Sequence, residues 1–311
     1  MKLIFMIGLL ALSVRRGLCK SLVLVGGGLD EANGDVWNKV IELAGGVGVA
    51  RFGVVCAASG DPPDSAAYYI DLLKQYGAAS ADWIQIDESR KENNEDPATI
   101  DLILSQTGFF FSGGDQARVI TSFYHFPERI ESSALAAIRQ VYNAGGLIAG
   151  SSAGTACQSA NVMINGGLSY EALRYGASSG GYNPNYPDDL SYDEFGGIGM
   201  VSGMVLDSHF STRGREGRLI RLVADTMTGP LGTSLGVGVD EDTALVIYNV
   251  GETSQLGEVL GTDGVLFLDL SKSTVSTIGG EWAISNVKSS YLTEGDTYSF
   301  NGNKVIGEIF G

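Results

Sequence analysis

Apolar residues in the first half of the chain fall into short runs separated by longer stretches of helical spacing. Ser21–Val25, Phe52–Ala57, Trp83–Asp87, Gly108–Phe111 and Gly146–Ala149 are mostly apolar and bounded by Gly, Asp or Ser. Strands covered on both faces read this way. Between them, residues 35–44, 64–76, 97–106 and 127–143 carry helical spacing, the third with Pro97 in its first turn, where a missing N–H costs nothing. This alternation predicts an α/β fold, a predominantly parallel sheet flanked by helices. Residues 203–207, 235–240 and 244–248 predict further strands, and alternation at 265–270 and 298–301 predicts antiparallel hairpins at one edge. The stretch 165–199, rich in Gly, Asn, Pro, Tyr and Ser, reads as a long loop over the carboxyl edge of the sheet. With no repeat or linker in sight, residues 20–311 read as a single domain.

The first nineteen residues stand apart. Lys2 precedes twelve uncharged residues, Leu3 to Val14, followed by Arg15-Arg16 and the small-residue stretch Gly17-Leu18-Cys19. That run is too short for a hydrocarbon core of roughly 30 Å and has the layout of a secretory signal peptide covering residues 1–19. The expected mature protein is therefore secreted, extracellular or periplasmic, with no membrane association once the leader is removed. Its loss takes away Lys2, Arg15 and Arg16, moving the formal charge from −16 to −19. Such an acidic chain argues against nucleic acid as a partner, because phosphate binding needs clustered cations. Two histidines and three cysteines leave little from which to build a zinc site. Cys56 and Cys157, both in apolar settings, read as buried free thiols.

The strongest chemical signal is Gly150-Ser151-Ser152-Ala153-Gly154, a G-x-S-x-G match after an apolar strand and before a helical stretch at 155–160. A nucleophile elbow needs that context, with small residues two before and two after a strained serine and amides aimed at a developing oxyanion. Ser152 then requires a base. His125 sits in an aromatic stretch and reads as a packed ring. His209 follows a predicted strand in Asp207-Ser-His-Phe-Ser-Thr-Arg-Gly-Arg-Glu-Gly-Arg218, where polar groups project into the functional edge of an open α/β sheet. Arg213, Arg215, Arg218 and Arg221 cluster there, as carboxylate-binding forks or as a solvated helix face. One of Asp240, Glu241 and Asp242, at another strand end, is placed to orient His209. Phe109-Phe-Phe-Ser-Gly-Gly-Asp-Gln116 ends in bare glycine amides able to complete an oxyanion hole. Gly26-Gly27-Gly28 lacks the dinucleotide spacing, since position 31 is Glu, and no phosphate-loop motif occurs.

In order and setting, F-F-S-G-G-D-Q (110–116), G-S-S-A-G (150–154), D-S-H-F-S-T-R-G-R-E-G-R-L (207–219) and G-V-D-E-D-T-A-L (238–245) resemble the cyanophycinases. These are serine exopeptidases related to the aspartyl dipeptidases. The resemblance runs from about Lys20 to the C-terminus and includes Leu292-Thr-Glu-Gly-Asp-Thr-Tyr298. It implies a fold like the class I glutamine amidotransferases. It also implies Ser152 as nucleophile, His209 as base, Glu241 as acid, and an oxyanion hole of the Gly114 and Ala153 amides. Gln116, Asp207, Arg213, Arg215 and Arg218 match positions that bind the β-Asp-Arg unit of cyanophycin, an arginine-decorated polyaspartate cut without cofactor or metal. The implied substrate is cyanophycin or a β-aspartyl peptide; an α-aspartyl dipeptidase is the alternative enzyme, and a non-catalytic binding protein the alternative of another class. Family members are often homodimers. Two departures stand out: Gly-Ser-Ser replaces the commoner Gly-Thr-Ser, and the 165–199 stretch lengthens the interval between Ser152 and His209.

Overall fold

The computed structural model describes residues 19–180, 183–278, 281–302 and 304–306, so the expected leader lies, except for Cys19, outside the described residues. A nine-stranded sheet runs through the molecule in the order 304–306, 297–299, 256–261, 243–248, 21–25, 147–151, 108–111, 51–55, 80–84. Strand Ser21–Val25 divides it. On one side the strand pairs in parallel with Leu147–Ser151, and the parallel series continues to Ser80–Ile84. On the other it pairs antiparallel with Thr243–Tyr248, beginning the antiparallel C-terminal strands. The mostly parallel central sheet with antiparallel strands at one edge is the architecture the alternation predicts.

The continuous apolar runs follow from burial on both faces. Leu22, Leu24, Phe109, Phe111 and Ile148 pack into one core, while Val23, Val25, Phe110, Leu147 and Ala149 pack into the other. Alternate residues of each strand thus feed opposite layers, as a two-residue period requires. Helices start where short polar side chains cap them. Asn33, Asp61, Asp96 and Asp115 accept from the backbone N–H of Val36, Asp64, Thr99 and Ala117.

Several elements differ from the sequence expectation. The stretch 127–143 is not one helix: Tyr124–His125 and Ile130–Glu131 form a small hairpin, and the helix is Ser133–Asn143, started by Ser132 Oγ accepting from Leu135 N at 3.2 Å. The cap residue, rather than Pro127, sets the boundary. Helix Gln116–Phe123, with β-branched Val119, Ile120 and Thr121 at its centre, carries no strong helical signal and was not foreseen. The strand expected at 83–87 is Ser80–Ile84, and the helical stretch after Ser152 is a single turn, Ala153–Ala156. The supposed loop at 165–199 contains helix Ser169–Tyr175 and contributes to a three-stranded sheet of Met163–Gly166, Leu190–Asp193 and Ala177–Ser179.

Strands Val205–Asp207 and Leu235–Val239 do not join the central sheet. They pair in parallel in a separate four-stranded sheet with Gly264–Asp269 and Lys288–Thr293. This second sheet delivers Asp207–His209 and Asp240–Glu241 to the carboxyl end of the central one, where Gly26–Gly28 and Ser152 emerge. Cys56 and Cys157 are buried and unpaired. Burial pushes the Cys56 thiol up to about 12 and raises that of Cys157 too, so neither is a thiolate near neutral pH.

Candidate active site

Ser152 turns the chain from strand 147–151 into the helical turn 153–156 with φ 57° and ψ −113°, a conformation L-residues resist. The surrounding structure enforces it. Ser152 N donates to Val25 O at 3.0 Å, and the buried Thr155 hydroxyl donates to Val25 O at 2.7 Å and Gly150 O at 2.8 Å. A Cβ on Gly150 would stand 2.2 Å from Gly154 O, and one on Gly154 would stand 2.2 Å from Phe111 O. Both motif glycines are therefore required by close backbone approach.

His209 Nε2 lies 2.7 Å from Ser152 Oγ, and His209 Nδ1 lies 2.5 Å from Glu241 Oε1. His209 also sits at positive φ, 47°, with its backbone N–H donating to Gly26 O at 2.6 Å. Its ring rests against Gly27, where a Cβ would come within 2.3 Å of the imidazole. The Gly26–Gly28 run, dismissed as a nucleotide motif, is thus the seat of the histidine. Its sequence signal is a glycine run directly after a buried strand. Burial and the charges of Arg213 and Arg215 hold His209 below its ordinary value of 6.5, against the opposing pull of Glu241. The imidazole is accordingly neutral near pH 7, the form able to accept a proton from Ser152.

The three consecutive acids at 240–242 divide three tasks. Glu241 holds the imidazole. Buried Asp240 accepts from Ser211 N and from Tyr291 OH, each at 2.8 Å, and so ties down the loop that carries His209. Asp242 accepts from Asp30 N, Asn33 Nδ2 and Thr262 Oγ1, anchoring the turn behind Glu241. His125 lies away from this centre, half exposed and 2.9 Å from Glu95.

Ser152 and His209 open into a cavity of about 390 Å³ that is also lined by Gly114, Gln116, Asp207, Arg213, Arg215 and Arg218. The backbone at Gly113–Gly114 runs beside the serine: a Cβ on Gly113 would be 3.9 Å from Ser152 Oγ. All five residues matched to substrate recognition thus meet at the serine, yet they are not equally available. Arg218 grips Asp207 with a two-pronged contact, Nε to Oδ2 at 2.8 Å and Nη2 to Oδ1 at 2.6 Å, both side chains being buried. It also donates to Gly167 O at 2.8 Å. Arg215 Nη1 donates to Ser208 O at 2.6 Å, and burial pushes its guanidinium down to about 10 despite neighbouring Asp207. Gln116 commits its amide N–H groups to Ile164 O and Asn165 O, leaving its carbonyl oxygen for a donor. The Arg213 side chain is exposed, with no hydrogen bond or ion pair among the described residues, while its backbone N–H donates to His209 O at 3.1 Å. Arg221 belongs elsewhere: it pairs with Asp225 at 2.7 Å and stacks over Trp282. Among the described residues the arginine cluster is therefore mixed: the Arg213 side chain is free, Arg215 and Arg218 are structural at the cavity, and Arg221 forms a largely covered pair with Asp225 on the helix face.

A serine on a strained strand-to-helix turn, bonded to a histidine that is held by a carboxylate, has the nucleophile–base–acid layout of the serine hydrolases. No protein-family model matches the chain. It is similar along nearly its whole length to curated cyanophycinases. The one from Nostoc sp. is 26% identical over 296 residues, covering 93% of this chain and 88% of that protein. Those from Thermosynechococcus vestitus and Geminocystis herdmanii are 28% and 25% identical, covering 92% and 95% of this chain and 81% and 99% of theirs. A peptidase from an acI-B1 Actinobacterium has a similar fold, with a TM-score of 0.60 and 19% identity over 91% of this chain and 98% of that one. The chain is thus a relative of the cyanophycinases, and this kinship supports a peptidase.

Proposed function

We propose that the protein is a secreted serine exopeptidase that cuts cyanophycin, or β-aspartyl peptides like it, into β-Asp-Arg dipeptides. The observation that carries the reading is the hydrogen-bonded line Ser152–His209–Glu241, with 2.7 Å and 2.5 Å contacts, opening into an arginine-bearing cavity. Similarity to the cyanophycinases supplies the substrate class.

In this reading His209 Nε2 takes the Ser152 proton as Oγ attacks the scissile carbonyl carbon. Glu241 keeps Nδ1 protonated and stabilises the imidazolium that forms. The Gly114 and Ala153 amides receive the negative charge on the carbonyl oxygen. The tetrahedral intermediate then expels its amine, which leaves with the proton from His209. Water, deprotonated by the same imidazole, releases the acyl group from Ser152. Arg213 is the cation free to meet a substrate carboxylate, and the Gln116 carbonyl oxygen is an acceptor for a guanidinium. The locked Asp207–Arg218 pair frames the cavity. No step calls on a metal or organic cofactor, so a chelator should leave turnover unchanged.

Mass analysis of purified cyanophycin incubated with the protein tests the proposal. Accumulation of β-Asp-Arg with wild type and none with Ser152→Ala is expected, and an intact polymer with wild type overturns it. N-terminal sequencing of protein recovered outside the producing cell tests secretion, a start near Lys20 being the expected result. A second reading, an α-aspartyl dipeptidase, draws on Leu168 and Pro187, which wall the cavity from the 165–199 stretch and narrow the room for polymer. Preferential cleavage of short peptides with N-terminal aspartate would favour it.

A further inference from the structure

A second recess, of about 300 Å³, opens beside the Ser152 cavity, and the two share Ala117 and Asn165 in their walls. That volume is at the low end for small-ligand pockets. Ile120, Phe126 and Phe195 give it an apolar lining, with the Phe126 and Phe195 rings 51% and 65% exposed. Large aromatic faces left open in a concave wall are unusual for side chains that serve packing alone.

The charges in the recess do not balance. Arg129 and Asp193 neutralise each other through an ion pair at 2.6 Å. Glu194 has no hydrogen bond or ion pair among the described residues and leaves one uncompensated carboxylate on the rim. One ring of this wall already receives a guanidinium: that of Arg129 lies 5.6 Å from the Phe195 ring centroid. An apolar slot, open aromatic faces and a spare acid suit a long aliphatic stem ending in a planar cation. Glu194 and Phe195 come from the 165–199 stretch, the same stretch that lends Asn165, Gly167, Leu168 and Pro187 to the wall of the Ser152 cavity.

We propose that this recess is a subsite for the arginine side chain of the polymer unit next to the one being cleaved. The inference rests on the cyanophycin reading above, because that polymer carries an arginine on every aspartate. A unit seated at Ser152 therefore brings a neighbouring guanidinium alongside. The occupied recess would raise affinity for polymer without changing the chemistry at the serine.

The test compares kcat and KM for cyanophycin and for a short substrate with one β-Asp-Arg unit joined to an undecorated aspartate, using wild type, Glu194→Gln, Glu194→Lys and Phe195→Leu. For cyanophycin, KM should rise about three- to tenfold in Glu194→Gln and Phe195→Leu and further in Glu194→Lys, with kcat unchanged. KM for the single-arginine substrate should stay at the wild-type value. Unchanged polymer KM in both Glu194 variants, or equal changes for the two substrates, overturns the subsite while leaving the proposed activity standing. Wild type that cleaves neither substrate overturns the activity and the subsite together.

Discussion

At the amino ends of strands 108–111 and 147–151, a cleft of about 430 Å³ is walled by Leu43, Leu104, Val141 and the loop backbone at 144–146, and none of its lining residues is ionisable. At the carboxyl ends of the same strands, a cavity of about 390 Å³ is lined by two serines, a histidine, two aspartates and three arginines. Size does not separate the two; backbone strain and charge do. The amino-end loops are ordinary helix-to-strand returns at Gly45 and Gly145, with the positive φ that glycine adopts freely. The carboxyl-end loops hold Ser152 and His209, residues with side chains, at positive φ, and bury Asp207 against Arg218. Strain and buried charge each oppose stability, and both concentrate where ligands bind open α/β sheets.

This contrast can be broken by substitution at either end. The largest effect is expected at His209→Ala, which should lower kcat by about 10⁴-fold or more with the fold intact. Turnover assays beside thermal melts check this, and a variant within tenfold of wild type would contradict the assigned base. Next comes Asp207→Ala, which strands the Arg218 charge in the interior and should cost about 3–5 kcal/mol in urea unfolding. Gly27→Ala drives a methyl into the space of the imidazole and should cut kcat by about 10²-fold, more than its effect on stability accounts for.

A smaller effect concerns pH. His209 is held below its ordinary value, so its neutral form persists as pH falls through 6.5, and the acid limb of the rate profile should have its midpoint below that value. Arg213→Gln removes a charge that opposes protonation, so the midpoint should move upward. A downward shift, or none, would contradict the electrostatic account. The smallest effect belongs to the other end: Leu104→Ser in the apolar cleft should leave kcat/KM within about twofold, as surface changes away from a site do.

The legible parts of the molecule were those set by local physics. G-x-S-x-G declared itself because only small residues let strand, turn and helix approach so closely around Ser152. The central strands were readable because burial on both faces removes polar residues from them. His209 was singled out by scarcity and by its place after a strand. Parts that depend on tertiary placement were not legible. Nothing in Asp240-Glu241-Asp242 says which acid meets the imidazole, since the answer depends on how a second sheet docks against the first. Gly27 looked like a failed nucleotide motif because its partner, His209, lies far along the chain. The strand pairing within 163–193 was hidden by loop-like composition, and Gln116–Phe123 by β-branched residues that tertiary packing overrides.

The central claim is that Ser152 is a nucleophile activated by His209 and Glu241, and covalent trapping tests it most directly. The wild-type protein is incubated with a fluorophosphonate and the modified peptide is mapped by mass spectrometry, beside Ser152→Ala and His209→Ala. The account predicts a single stoichiometric adduct on Ser152, absent from Ser152→Ala and formed far more slowly in His209→Ala. An unmodified wild-type protein, or an adduct on a different residue, would contradict it.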